Sequence, residues 1–167
     1  MKKQLIIFFA ILAFCLLTGG FSLPGETLAA SQMPVFSLKN VRDGKVVDSG
    51  VFKGKVLLLT FFATWCGPCV EEVPILVKLH SDMMDAGFSV IGMSVDQQGP
   101  DFVAKFIERK AINYPVLLAE AKTSNDFGGI YGIPVAFLVN KTGNVVKKYT
   151  GYVNHAVLEK DIRSLLN

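Results

Sequence analysis

The chain has 167 residues, of which 51% are hydrophobic, and a formal net charge of +3. This length fits one domain with a short extension, and the apolar content excludes a disordered chain. Acidic and basic residues are nearly balanced and form no block of like charge, so nothing in the sequence favours nucleic-acid binding.

Residues 1–30 have the layout of an export signal. Lys2 and Lys3 precede an uninterrupted apolar run over residues 5–17, and the small residues at 27–31 suit a signal peptidase. We therefore predict a segment that directs the rest of the chain out of the cytoplasm.

An uncleaved membrane anchor is the alternative interpretation of this segment. Residues 5–23 carry no charge and are just long enough to span a bilayer. A lipoprotein signal at Cys15 fits poorly, because apolar residues continue after it. All of these interpretations place residues 31–167 in a periplasmic or other extracytoplasmic compartment, either soluble or anchored.

Apolar runs and helical patterns alternate along residues 31–167. Predicted strands lie at residues 35–38, 56–62, 88–95, 115–118, 135–139 and 145–149, with a hairpin around Asp43-Gly44 at 41–47. Predicted helices run from the Cys66/Cys69 pair to about residue 85, over 101–110, and from the Asn154 cap to 166. Residues 123–131 are predicted to be a loop with a helical turn. This order favours a mixed sheet with helices on both faces.

Cys66 and Cys69 form a Cys-x-x-Cys pair where a predicted buried strand passes into a predicted helix. Free N–H groups at a helix start favour negative charge, so the thiol pKa of a cysteine there is lowered. We expect Cys66 to be partly exposed and to attack a partner's disulfide as a thiolate. Cys69 lies one turn into the helix, and we expect it to be less exposed and to resolve the mixed disulfide.

Two other interpretations of the pair are weaker. A structural disulfide across a two-residue gap closes almost no loop and adds little stability. A metal site needs further ligands, whereas His80 and His155 are the only histidines and lie far along the chain. We therefore predict neither a metal nor another cofactor.

These features together resemble the thioredoxin superfamily, and more narrowly its exported TlpA/ResA-like branch of thiol–disulfide oxidoreductases. The resemblance covers residues 32–167 and rests on residues 61–69 (FFATWCGPC), 112–116 and 132–139. It implies an α/β fold, with a thioredoxin-like mixed sheet flanked by helices and an N-terminal β-hairpin extension. It also implies a cis peptide bond before Pro134.

Two positions depart from the pattern of the family. Val135 stands where the family usually has Thr after the cis-proline. Thr60 stands six residues before Cys66, where cytoplasmic thioredoxins have a buried Asp that accepts a proton. The proton-accepting role is therefore vacant at this position.

Glu72 is the candidate for that role. It lies three residues after Cys69, about one turn along the helix, so it can face back toward the cysteines. A partly buried Glu would have a raised pKa and could take the proton from Cys69, and the resembling branch has a Glu here with such a role. The alternative is a solvated first-turn carboxylate favoured by the helix dipole, as we expect for Glu71.

Five residues are candidates for docking a client: Trp65, Gly67, Pro68, Ile133 and Pro134. Pro68 suits the first helical turn, where its missing N–H is not needed. Trp65 either borders the docking surface or is an ordinary core residue. The resemblance implies that Pro134 lies against the disulfide and leaves the backbone of Ile133 open to an extended partner segment.

The sequence thus predicts an exported thiol–disulfide oxidoreductase that acts mainly as a reductant. The resemblance implies client proteins with disulfides, such as the heme-binding cysteines of apocytochromes c, and a membrane thiol donor that recharges the pair.

Three other functions are less well supported by the sequence. Peroxiredoxins need Thr or Ser three residues before the reactive Cys and Pro four further back, where this chain has Ala63 and Leu59. A non-catalytic binding or chaperone module would not need an intact Cys pair. Copper delivery lacks a nearby cluster of His or Met.

Overall fold

The computed structural model describes residues 31–167, so the predicted export or anchor segment lies outside the described residues. Within this range no helix has the length and apolar character needed to cross a membrane.

The described chain alternates between strands and helices. The strands are β1 (Ser37–Lys39), β2 (Val46–Asp48), β3 (Val56–Phe62), β4 (Phe88–Ser94), β5 (Val116–Leu118), β6 (Val135–Val139) and β7 (Val145–Thr150). The helices are α1 (Gly67–Met83), α2 (Pro100–Arg109), α3 (Ala121–Asp126) and α4 (His155–Leu166). Most of the predicted elements agree with these bounds to within two residues.

Two predicted segments differ from the structure. The predicted hairpin at 41–47 is longer in the structure, where β1 and β2 pair antiparallel on either side of Gly44. Its first strand, β1, is the segment that was predicted at 35–38 as a separate strand. The short helix α3 covers residues 121–126. It therefore begins two residues before the segment 123–131 that was predicted to be a loop with a helical turn. No side chain caps the start of α3, and Thr123 is its one buried residue. The sequence of α3, AKTSND, therefore lacks the periodic apolar residues by which a helix is recognised.

The main sheet has five strands in the order β5-β4-β3-β6-β7. β3, β4 and β5 are parallel, whereas β6 and β7 each run antiparallel to the preceding neighbour in the sheet. β3, β4 and β5 follow one another in one direction across the sheet, so right-handed crossovers place α1 and α2 on the same face. The predicted thioredoxin-like mixed sheet is confirmed.

The two faces of the sheet bury different layers. On one face, Leu58 and Phe62 of β3 pack with buried residues of α1, α2 and α4. On the other face, Leu57, Leu59 and Phe61 pack with the β1–β2 hairpin and with residues around α3. Because β3 is covered on both faces, all seven of its residues are buried. The carboxyl end of this rigid central strand carries the cysteine pair.

Candidate active site

The turn between β3 and α1 places Cys66 at the start of the helix. Cys66 is the N-cap residue, with an extended backbone (φ −84°, ψ 107°), and its Sγ accepts a hydrogen bond from the Cys69 N–H at 3.3 Å. Pro68 lies in the first turn of α1, as its missing N–H predicts. An N–H aimed at Sγ stabilises negative charge there, so this geometry suits a thiolate at Cys66 in the reduced protein.

Cys66 and Cys69 are joined by a disulfide, so the structure is that of the oxidised protein. Cys66 is only 6% exposed and Cys69 3%, so the predicted partial exposure of Cys66 is wrong for this form. The reason is the direction of the side chain: Cys66 Sγ points inward and lies 3.8 Å from the carbonyl oxygen of Ile133.

The loop before β6 forms a second wall of the site. The Ile133–Pro134 peptide bond is cis, as the resemblance implied, and the side chain of Pro134 is buried. The Pro134 carbonyl accepts a hydrogen bond from the N–H of Gly151 at 2.8 Å, which joins this loop to the β7–α4 loop.

Three of the four remaining candidate docking residues are exposed to solvent. Trp65 is 64% exposed, so its alternative role as a core residue is wrong. Gly67 and Pro68 are exposed, and Ile133 is half-buried. The structure therefore brings all five candidates around the disulfide.

Glu72 lies on the buried face of α1, next along that face from Cys69. It is 4% exposed, and its Oε1 accepts a hydrogen bond from the N–H of Val153 at 2.7 Å. Burial raises the pKa of Glu72, and the hydrogen bond from Val153 offsets part of this rise. The alternative of a solvated carboxylate is therefore wrong, whereas Glu71 is exposed as expected.

Thr60 occupies the position of the buried Asp of cytoplasmic thioredoxins. It is 2% exposed, and strand alternation places it on the same face of β3 as Leu58 and Phe62. Its hydroxyl has no hydrogen-bond partner among residues 31–167. Among residues 31–167, Glu72 is thus the carboxylate buried on the α1 side of the sheet.

The pKa shift of Glu72 predicts how stability depends on pH. Its folded-state pKa lies above the ordinary value of 4.5, so the folded protein binds the proton more tightly than the unfolded chain. The stability that Glu72 contributes is therefore present below pH 4.5 and lost as pH rises through the folded-state pKa. Glutamine does not titrate, so Glu72→Gln does not lose this stability as pH rises. The loss that it avoids is about 1.4 kcal/mol for each unit by which folding raises the pKa of Glu72.

Urea unfolding of the oxidised protein between about pH 4 and pH 8 measures this effect. The free energy of unfolding of Glu72→Gln, relative to the unsubstituted protein, should increase with pH. Glu71→Gln on the exposed face of α1 is the matched control. A relative stability of Glu72→Gln that falls with pH would contradict the raised pKa.

Three groups that lie beside the site in the chain were not among the residues singled out from the sequence. Tyr131, which is 98% exposed, and Tyr152, which is 50% exposed, flank the backbone segments that hold Pro134 and Glu72. The sequence feature that could have identified them is their position: Tyr131 directly precedes the Gly-Ile-Pro stretch, and Tyr152 lies in the last loop. The N–H of Val153 left no such signal, because any residue except proline supplies one.

Within residues 31–167, no three His, Cys, Asp or Glu side chains come together in a way that could hold a metal ion. The site itself brings together two sulfur atoms, an adjacent N–H group and a buried carboxyl.

A mixed sheet of this order, with a Cys-Gly-Pro-Cys disulfide at a helix start and a cis-proline beside it, defines a thiol–disulfide oxidoreductase of the thioredoxin superfamily. The chain belongs to the Redoxin family, whose model matches residues 28–166. This match and the named relatives below together confirm the resemblance to the TlpA/ResA-like branch.

Named relatives and solved structures point to the same activity. The thiol-disulfide oxidoreductase ResA of Bacillus cereus is 26% identical over 174 residues, covering 99% of each chain. ResA of Bacillus subtilis is 27% identical over 164 residues, covering 94% of this chain and 90% of its own. A thioredoxin-family thiol:disulfide interchange protein of Chlorobium tepidum superposes with a TM-score of 0.76 at 32% identity, covering 83% of this chain and 97% of its own.

Proposed function

We propose that this oxidoreductase is exported and reduces disulfides in proteins outside the cytoplasm. The observation that carries the proposal is the position of the Cys66–Cys69 disulfide, between the start of α1 and the cis-Pro134 loop. Export is supported by the layout of residues 1–30. The reducing direction is supported by Gly67-Pro68 between the cysteines, which resembles the reducing members of the superfamily.

The reaction uses each cysteine once. The Cys66 thiolate attacks one sulfur of the client disulfide, forms a mixed disulfide and releases the first client thiolate. Cys69 then loses its proton to Glu72 and attacks Cys66 Sγ. This second step forms the disulfide seen in the structure and releases the second client sulfur, so two electrons pass to the client.

Each turnover leaves the pair oxidised, so the cycle needs an external reductant. We propose a thiol donor in the membrane, because an extracytoplasmic compartment does not keep thiols reduced by itself. Reduction begins when a donor thiolate attacks the Cys66–Cys69 disulfide. The donor ends oxidised and the Cys66–Cys69 pair ends as a dithiol.

The proposed clients are proteins with an accessible disulfide in an extended segment. The exposed side chain of Trp65 and the half-buried Ile133 border the place where such a segment would meet Cys66. The resemblance to the TlpA/ResA-like branch supports apocytochromes c as one such client, whose heme-binding cysteines must be reduced before heme attachment.

Trapping with Cys69→Ser tests the identity of the client. In a Cys15→Ser background, Cys66 becomes the only cysteine of the chain, so any disulfide-linked partner is held through it. We expect mass spectrometry of the membrane and periplasmic fractions to identify proteins with paired cysteines, among them apocytochromes c. Capture of small thiols alone would refute a protein client.

A further inference from the structure

The turn that carries the cysteines is held from the side by Asp96, a residue that follows β4. Both carboxylate oxygens of Asp96 accept hydrogen bonds from the N–H of Thr64, each at 3.1 Å. Its Oδ1 also accepts one from the Thr64 hydroxyl at 2.5 Å, and its Oδ2 accepts one from the Ser94 hydroxyl at 2.9 Å. A half-buried carboxylate thus receives three donors, two of them from a single residue of the turn.

The sheet places this contact beside the disulfide. β3 and β4 are parallel and pair Phe62 with Ser94, so Thr64 and Asp96 each lie two residues beyond a paired position. The N–H of Val95 donates to the Phe62 carbonyl at 3.0 Å and extends the ladder to this point. Asp96 therefore ties the turn to β4 where the strands themselves no longer hold it.

Thr64 lies two residues before Cys66, the proposed attacking cysteine. Trp65 comes next and is exposed, and Cys66 follows as the N-cap of α1. The N–H of Cys66 donates to the Ala63 carbonyl at 3.1 Å, so Thr64 lies inside the turn that sets the direction of the Cys66 side chain.

We propose that Asp96 is a positioning residue for disulfide exchange: by fixing Thr64, it keeps Cys66 Sγ in line with the N–H of Cys69 at the start of α1. This inference goes beyond the proposed function in one respect only. It rests on Cys66 being the attacking cysteine and assigns a role to a residue that does not touch the sulfur atoms.

The physical consequence concerns the thiolate of the reduced protein. The Cys69 N–H stabilises a thiolate at Cys66 only while the turn holds the two atoms in line. Release of Thr64 loosens that geometry, so the thiol pKa of Cys66 rises and fewer collisions find the sulfur oriented for attack. A direct effect of the Asp96 charge has the opposite sign, because removal of a negative charge near a thiol lowers its pKa.

Three substitutions separate these effects. Asp96→Ala removes all acceptors, whereas Asp96→Asn removes the charge but keeps one acceptor oxygen for Thr64. Thr64→Val removes the hydroxyl donor and keeps the backbone N–H and the side-chain shape. Asp101→Ala, at an exposed carboxylate in the first turn of α2, is the matched control.

Alkylation of the reduced full-length chain by iodoacetamide across pH measures the thiol pKa, and peptide mapping identifies the modified cysteine. Reduction of a model protein disulfide gives kcat/KM for the same variants. Asp96→Ala should raise the pKa of Cys66 and lower kcat/KM by about tenfold to a hundredfold. Asp96→Asn should recover most of that loss, Thr64→Val should show a smaller change in the same direction, and Asp101→Ala should show none.

Other outcomes overturn the proposal. If Asp96→Ala and Asp96→Asn lower the pKa equally, Asp96 acts through its charge. If Asp96→Ala lowers the melting temperature but changes neither the thiol pKa of Cys66 nor kcat/KM, the role of Asp96 is structural only. If Asp96→Ala does not fold, the same conclusion follows when Thr64→Val and Asp96→Asn both leave that pKa and kcat/KM unchanged. Alkylation that maps first to Cys69 is a separate result, because it refutes the proposed order of the cysteines rather than the positioning role.

Discussion

Cys66→Ser is expected to reduce disulfide exchange by about 10³-fold or more, because a catalytic nucleophile cannot be replaced by the remaining residues of its site. A serine hydroxyl cannot form the mixed disulfide, so the first step is lost rather than slowed. Turbidity from insulin chains, released when their disulfides are reduced, measures the activity. The variants are compared in a Cys15→Ser background, so that only Cys66 and Cys69 can react.

Cys69→Ser is the matched control for this prediction. Its Cys66 can still attack, so the mixed disulfide should form and then accumulate, since no resolving thiol is present. Turnover retained in Cys66→Ser, together with trapping by that variant, would reverse the roles of the two cysteines. Insulin that stays soluble with both variants and with the unsubstituted reduced protein would favour a binding or chaperone module.

Glu72→Gln is expected to slow resolution of the mixed disulfide by about 10²-fold near neutral pH, within the usual range for removal of a general base. Glu72 is buried on the same face of α1 as Cys69, and burial raises the pKa of its carboxyl. In the unsubstituted protein the rate should rise with pH as Glu72 loses its proton, above pH 4.5. In the variant it should rise only at the higher pH at which Cys69 itself deprotonates.

Rapid mixing of the reduced variant with a disulfide substrate, followed by acid quenching at each pH, measures the mixed disulfide over time. Glu71→Gln, one residue earlier and exposed, controls for loss of a negative charge at the start of α1. An identical pH profile for Glu72→Gln and the unsubstituted protein would refute the proton-accepting role. In that case, ionisation of the two cysteines alone would account for the pH dependence of the resolution rate.

Local sequence patterns were sufficient to predict the central strand and the helix that carry the site. Residues 56–62 are apolar throughout because β3 is covered on both faces, and that run can be recognised without a structure. The Asn154 cap was equally local: its side chain accepts from the N–H of Val157 at 3.1 Å. The Cys-Gly-Pro-Cys stretch was identified for the same reason.

The contacts that complete the site depend on register, which no local pattern contains. Thr64 meets Asp96 only because β3 pairs with β4 so that Phe62 lies opposite Ser94. Glu72 meets the N–H of Val153, 81 residues further along, because the β7–α4 loop packs beside α1. The burial of Cys66 likewise follows from the direction of its side chain toward Ile133, which sequence spacing does not determine.

The central claim is that Cys66 is the attacking cysteine, with its thiolate stabilised at the start of α1. Alkylation of the reduced chain at a series of pH values, with separate quantification of the Cys66 and Cys69 peptides, tests it most directly. We expect Cys66 to be modified first, with a thiol pKa below the ordinary value of about 8.5, and Cys69 to react only at higher pH. Faster modification of Cys69, or a Cys66 thiol pKa at or above that value, would contradict the claim.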